Sequence, residues 1–279
     1  WDASVISWIG GDSTGAVDDK AMYLIADANG TGTTQPHDIL IDGVTIHDAP
    51  RNPPNHAECL AIWGFYNVVV RNSKFYHCAV YDISATETNF NGSWYFHDAI
   101  IENNFFDTAY NTITGSNDTG DADLFFESKL AGSKLENILV RNNSFAGSSG
   151  KPLIFSTWGN PANNLYVVGN TGGGGDSART CKTFAGGNGS TGPANFTINA
   201  YNVFAGIDCD GAGTSNTQYP VAFTSVDPAA TKGSDLHLIS TSNAIATSSW
   251  SVPSGYCPNN SRFGSVTISG KAIPALGSD

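Results

Sequence analysis

A short motif returns four times along this chain, at a spacing that suits one turn of a solenoid. The clear copies are residues 39–46 (ILIDGVTI), 68–75 (VVVRNSKF), 99–106 (AIIENNFF) and 138–145 (ILVRNNSF). Each has a three-residue apolar run, a polar residue, Asn or Gly, one or two polar residues and a closing apolar residue. Weaker copies follow at 165–171 and 195–204. The anchors Gly43, Asn72, Asn103, Asn142 and Gly169 lie 29, 31, 39 and 27 residues apart. Such a period, with variable excess, fits one coil of a parallel β-helix plus loop insertions. A single coil cannot bury its apolar face, so coils stack and share a core. Asn and Gly tolerate the left-handed backbone that a sharp corner needs. In-register Asn amides can also bond to one another along the stack.

Apolar runs at 60–63, 80–83, 124–126 and 153–155 lie between the copies and read as second strands, giving at least two per coil. Residues 4–9 and 21–25 read as strands before the first clear copy. The expected organisation is one all-β domain over 1–279, with coils over about 4–205 and an irregular segment over about 206–279. That last segment holds Pro220, Pro228, Pro253, Pro258 and Pro274, and is expected to wrap the C-terminal end. Strand edges at the end of a solenoid need a cover. With no amphipathic capping helix at the start, the expectation is an additional N-terminal segment, a self-associating partner, or cover from the Trp1/Trp8 region.

Composition narrows the class. Gly is abundant (31 residues), Met occurs once and only 14% of residues are charged, which suits short strands and tight turns over helices. The net charge of −12 repels phosphate backbones, so no nucleic-acid partner is expected. It also disfavours anionic membranes, and acidic polysaccharides unless a cation bridges the two. No apolar run is long enough for a transmembrane helix, so no membrane insertion is expected. The first residue is Trp1, which reads as if a leader or longer segment had been removed.

Of five cysteines, Cys59 with Cys78 and Cys181 with Cys209 are the expected disulfides, and Cys257 is left over. The pairs imply an oxidising, secreted or cell-surface location. No CxxC spacing points to zinc.

The set HDILIDGVTIHD (37–48), HAECLAIWG (56–64), NVVVRNSKFYHC (67–78), ILVRNNSF (138–145) and SDLHLISTSNAI (234–245) resembles secreted bacterial right-handed β-helix repeat proteins of the pectate-lyase-like superfamily. The resemblance covers roughly residues 35–245. It implies a right-handed coil and a polysaccharide ligand. The fold hosts lyases, hydrolases, epimerases and adhesins, so it does not choose among them. Lyases of that superfamily abstract a proton beside a uronate carboxylate with an Arg or Lys base, aided by calcium.

Two clusters carry candidate chemistry. In TGDADLFFESKL, Asp121 and Asp123 are candidate Ca2+ ligands and Lys129 a candidate base. The plainer reading is a solvated acidic loop before a strand. In the second cluster, His56 and Glu58 face His77 and Asp82 if Cys59 and Cys78 stack on adjacent coils, and a Glu58–His77 pair would suit acid–base work. The plainer reading there is a hydrogen-bonded coil corner. A glycosidase needs two convergent carboxyls, for which Asp82, Asp98, Asp107, Asp121 and Asp123 are available. Trp63, Trp94, Tyr95 and Trp158 are candidate sugar platforms, or else plugs between core and loops. Two functions follow: an extracellular polysaccharide lyase or hydrolase with a lateral groove, or a non-catalytic glycan-binding, adhesive or assembly module.

Overall fold

A computed structural model describes residues 5–7, 19–26, 34–50, 57–87, 94–107, 110–111, 115–117, 122–146, 151–158, 160–172, 196–200, 203–204, 217–218, 223–227 and 229–240. The chain is a right-handed parallel β-helix with three strands per coil, visited in the order sheet 1, sheet 2, sheet 3. Sheet 1 stacks Asp19–Ile25, Ala57–Trp63, Tyr81–Thr86, Ala122–Glu127 and Lys151–Ser156. Sheet 2 stacks His37–Asp42, Tyr66–Arg71, His97–Glu102, Leu135–Arg141, Ala162–Val168 and Phe196–Ala200. Sheet 3 stacks eight short strands, among them Thr45–Ala49, Lys74–Cys78, Phe105–Phe106 and Ser144–Phe145. The second strands expected from sequence form sheet 1. Sheet 3 is the element beyond the two that were legible.

The corner from sheet 2 to sheet 3 never changes length, and its chemistry explains why. Gly43, Asn72, Asn103, Asn142 and Gly169 all have φ between 52° and 68°. That is the left-handed region which Gly and Asn enter at least cost. The following residue points inward. Asn104, Asn143 and Asn170 are fully buried there and form a ladder. The Asn143 amide donates to the Ile101 carbonyl (2.9 Å) and to Asn170 Oδ1 (3.0 Å). Its Oδ1 accepts from the Asn104 backbone N–H (3.0 Å) and side-chain amide (3.1 Å). A second left-handed row lies near the start of five of the six sheet 2 strands, at Asp38, Asn67, Asp98, Asn137 and Asn164. It too is linked rung to rung, as in Asn137 Nδ2 to Asp98 Oδ1 (2.7 Å).

The closing apolar residue of each motif copy fills the core. Phe75, Phe106 and Phe145 stack at 5.2 Å centroid spacing, and Phe126 stacks on Phe155 at 4.9 Å. The outer face of sheet 2 carries an ion-pair row in which Arg71 meets Asp42 (2.7 Å) and Arg141 meets Glu102.

Cys59 and Cys78 form a disulfide. It does not join equivalent places on adjacent coils, as expected from sequence. Cys59 lies in the sheet 1 strand and Cys78 ends the sheet 3 strand of the same coil, so the bond closes that coil on itself. The separation of 19 residues is what one coil with two short corners takes up. Closing such a loop restricts the unfolded chain, and the double variant Cys59→Ala/Cys78→Ala should lose about 3 kcal/mol. A lowered urea midpoint with an unchanged far-ultraviolet spectrum would record this. Cys181, Cys209 and Cys257 lie outside the described residues.

The described part of the C-terminal segment forms a small antiparallel sheet. Phe223–Ser225 and Asp235–Leu238 pair antiparallel, and this hairpin lies along the side of sheet 3. Phe223, Val226, Leu236 and Leu238 pack there with Phe105 and Ala146. Lys74 Nζ donates to the carbonyls of Lys232 and Ser234, both at 2.7 Å. Gly233, at φ +64°, has no room for a side chain: a Cβ would sit 2.6 Å from Tyr76 Cβ. Among the described residues no helix is long and apolar enough to cross a membrane.

Candidate functional site: an acidic corner

The corner from sheet 3 to sheet 1 varies from coil to coil. It spans 50–56 after one strand and 107–121 after another, but only Ala79 and Val80 between Cys78 and Tyr81. Behind this tight corner, Tyr81 stacks on Phe125 at 4.6 Å. Asp82 follows and is buried. A carboxylate oxygen of Asp82 and both sulfurs of the Cys59–Cys78 disulfide lie within 4.8 Å of one another. Asp82 is 2% exposed, and its Oδ2 has no hydrogen-bond partner among the described residues. The sulfurs, being bonded to each other, are not thiolate ligands.

Ile83 pairs with Leu124 in sheet 1, so Asp123 stands beside Asp82 on the next rung, ~4.8 Å along the stack. Asp123 is 7% exposed. Burial pushes the Asp82 carboxyl well above the usual carboxylate range, and the charges of Asp123 and then Asp107 push it further. Burial raises Asp123 in the same direction, with Asp107 adding to it. Two buried carboxyls this close resist ionising together, because a charge on one disfavours a charge on the other. Asp107 is buried and accepts hydrogen bonds from the Ser234 backbone N–H and from Ser234 Oγ (2.7 Å). The C-terminal hairpin is thereby fastened at the edge of the carboxyl cluster.

The other sequence candidates separate. His77 is buried but does not pair with Glu58. Its Nδ1 meets Asp48 Oδ1 (2.7 Å), and its Nε2–H donates to the Ala230 carbonyl (2.9 Å). Asp48 and His77 are stacked 29 residues apart, both with left-handed backbone, and this places them side by side. His77 therefore holds the hairpin. Glu58 is buried at the start of its strand, beside Tyr81 in the register. His56 and Asp121 lie outside the described residues.

Lys129 follows the strand that Asp123 begins, so the strand's length of roughly 20 Å separates them. Asp123 and Lys129 are thus not brought together. Trp94 is buried and acts as a plug. Tyr95 is half-buried, and its hydroxyl donates to Glu136 (3.1 Å). Burial and that carboxylate push its phenol up to about 12. Trp158 is exposed and Trp63 half-buried, both at the far end of sheet 1 from the acidic corner.

Sequence reasoning named Asp82 and Asp123 in different clusters and passed over Asp48. The usable signal was the register: with 124 paired to 83, the two aspartates become neighbours. No protein-family model matches this chain, and no curated protein or solved structure matches it either.

Proposed function

We propose that this chain is an extracellular hydrolase of a neutral polysaccharide, with Asp82 and Asp123 as its working carboxyls. A glycosidase needs one protonated carboxyl to donate to the leaving oxygen and one ionised carboxylate as base or nucleophile. Two buried aspartates on adjacent rungs bring two carboxyls together, burial raising both, with Asp123 and Asp107 adding at Asp82 and Asp107 adding at Asp123, and this juxtaposition carries the reading. Hydrolysis is favoured over elimination because Lys129, the candidate base, stands a strand length away. The net charge of −12 favours a neutral polymer over a uronate. The disulfide suits an oxidising compartment.

The exposures of 2% and 7% favour a second reading, a non-catalytic glycan-binding module in which the pair is a buried structural feature. One assay separates them. Wild type, Asp82→Asn and Asp123→Asn are incubated with neutral and uronate polysaccharides, with and without calcium. Reducing ends and unsaturated-product absorbance are both followed. The hydrolase reading expects reducing ends from a neutral polymer, lowered on the order of 100-fold or more in either variant. Calcium-dependent absorbance would instead establish a lyase. Silence of the wild type across the panel would leave the binding module.

A further inference from the structure

Trp158 sits in an unusual backbone state for its size. Its φ is +48°, whereas the other non-glycine residues at positive φ among those described are Asp, Asn and one His. A bulky side chain there is strained, and strain of this kind persists where surrounding structure imposes it, often at ligand sites. The indole is nonetheless 37% exposed.

The surroundings hold it firmly. The indole N–H donates to Glu127 Oε1 (2.6 Å), and Lys129 Nζ lies 5.1 Å from the ring centroid. Lys129 is fixed in turn, because Glu87 Oε1 accepts from the backbone N–H groups of Lys129 (2.8 Å) and Leu130 (2.6 Å). Asn160 closes the turn beyond Trp158: its N–H donates to the Thr157 carbonyl (2.7 Å), and its side-chain amide reaches the carbonyls of Ser128 and Leu130 (both 3.1 Å). The neighbouring Thr157 hydroxyl is buried with no hydrogen-bond partner.

The same edge of sheet 1 carries a second aromatic group. Trp63 pairs with Thr86, and Glu127 takes the next rung. Ile62, Ala85 and Phe126 point into the core, so Trp63, Thr86 and Glu127 point outward. Trp63 and Glu127 stand two rungs apart, or ~10 Å. Tyr23, 44% exposed, meets Trp63 edge-on at 5.0 Å.

We infer that Trp158, Glu127 and Lys129 form a saccharide-binding platform, extended along the helix axis by Trp63 and separate from the acidic corner. Lys129 Nζ lies over one face of the indole, which leaves the opposite face for the C–H side of a sugar ring, while the neighbouring carboxylate and ammonium bond to hydroxyls. The ligand class is a neutral linear oligosaccharide. Glu127 at the ring and the acidic chain disfavour a uronate.

The probes are cellohexaose, mannohexaose and xylohexaose, titrated calorimetrically into wild type, Trp158→Asn, Trp63→Ala and the Asp82→Asn variant. Asn accepts the left-handed turn, so Trp158→Asn should keep or raise the melting temperature. At least one hexaose should bind to wild type and to Asp82→Asn alike. Its affinity should fall at least ~10-fold in Trp158→Asn and by a smaller factor in Trp63→Ala. Equal affinity in Trp158→Asn, or no binding of any of the three to wild type, would overturn the proposal. Binding without turnover would sink the hydrolase reading alone. Turnover with binding indifferent to Trp158 would sink this one alone.

Discussion

Replacing Asp82 by Asn is expected to remove part of the decline in stability above about pH 4, so that the variant's melting temperature gains on that of wild type as the pH rises. The sign follows from linkage. Burial, with Asp123 and Asp107 nearby, raises the folded-state carboxyl above its ordinary value of 3.8. Below that value both folded and unfolded chains are protonated, and the group costs nothing. Above it the unfolded chain releases the proton while the folded chain keeps it. Stability therefore falls as pH rises, by up to about 1.4 kcal/mol per pH unit for each retained proton, until the folded carboxyl ionises too. Asn fills nearly the same space with no proton to retain. Thermal melts of wild type and Asp82→Asn across this range check the prediction. Parallel curves would mean that Asp82 is ionised in the folded protein.

The largest loss is expected at the centre of the buried Asn ladder. Asn143→Leu removes an amide that satisfies the Ile101 carbonyl and two donors of Asn104. The apolar replacement leaves these groups buried without partners, at about 1–3 kcal/mol each. We expect about 4 kcal/mol in all, a value at the severe end for single substitutions. Asn103→Gly is the matched control, since Gly keeps the left-handed corner and loses only an exposed bond to Asn72. It should stay within about 0.5 kcal/mol of wild type. Urea midpoints of the two variants that matched would refute the ladder's role.

The fold was legible where local chemistry repeats. Asn72, Asn103 and Asn142 mark a corner whose backbone few other residues accept, and the two-residue length of that corner keeps the mark in register. The neighbouring row from Asp38 to Asn164 repeats with the same spacing, yet it was missed because it lies one or two positions into the strands, beside apolar runs. Sheet 3 was hidden for another reason. Phe105–Phe106 and Ser144–Phe145 are two residues each, too short for any alternation to register.

The site was harder still. Asp82 and Asp123 become neighbours only after the residues between Phe106 and Ala122 are set aside as insertion. The contacts of Lys74, His77 and Asp107 with residues 230–234 span more than a hundred positions and leave no local trace. Trp63 and Trp158 were recognisable as aromatics beside corners. That they share one edge of sheet 1 again depends on register.

A proton shared by Asp82 and Asp123 is the claim on which both the stability and the hydrolase arguments rest. The most direct test is to follow the aspartate carboxyl carbons by NMR while the pH is raised, in wild type and in the Asp82→Asn and Asp123→Asn variants. The account predicts a wild-type carboxyl still protonated at neutral pH, with a partner titration that shifts downward when either aspartate becomes Asn. If every aspartate in the wild type has ionised by about pH 5, the acidic corner holds no proton and the account of it is wrong.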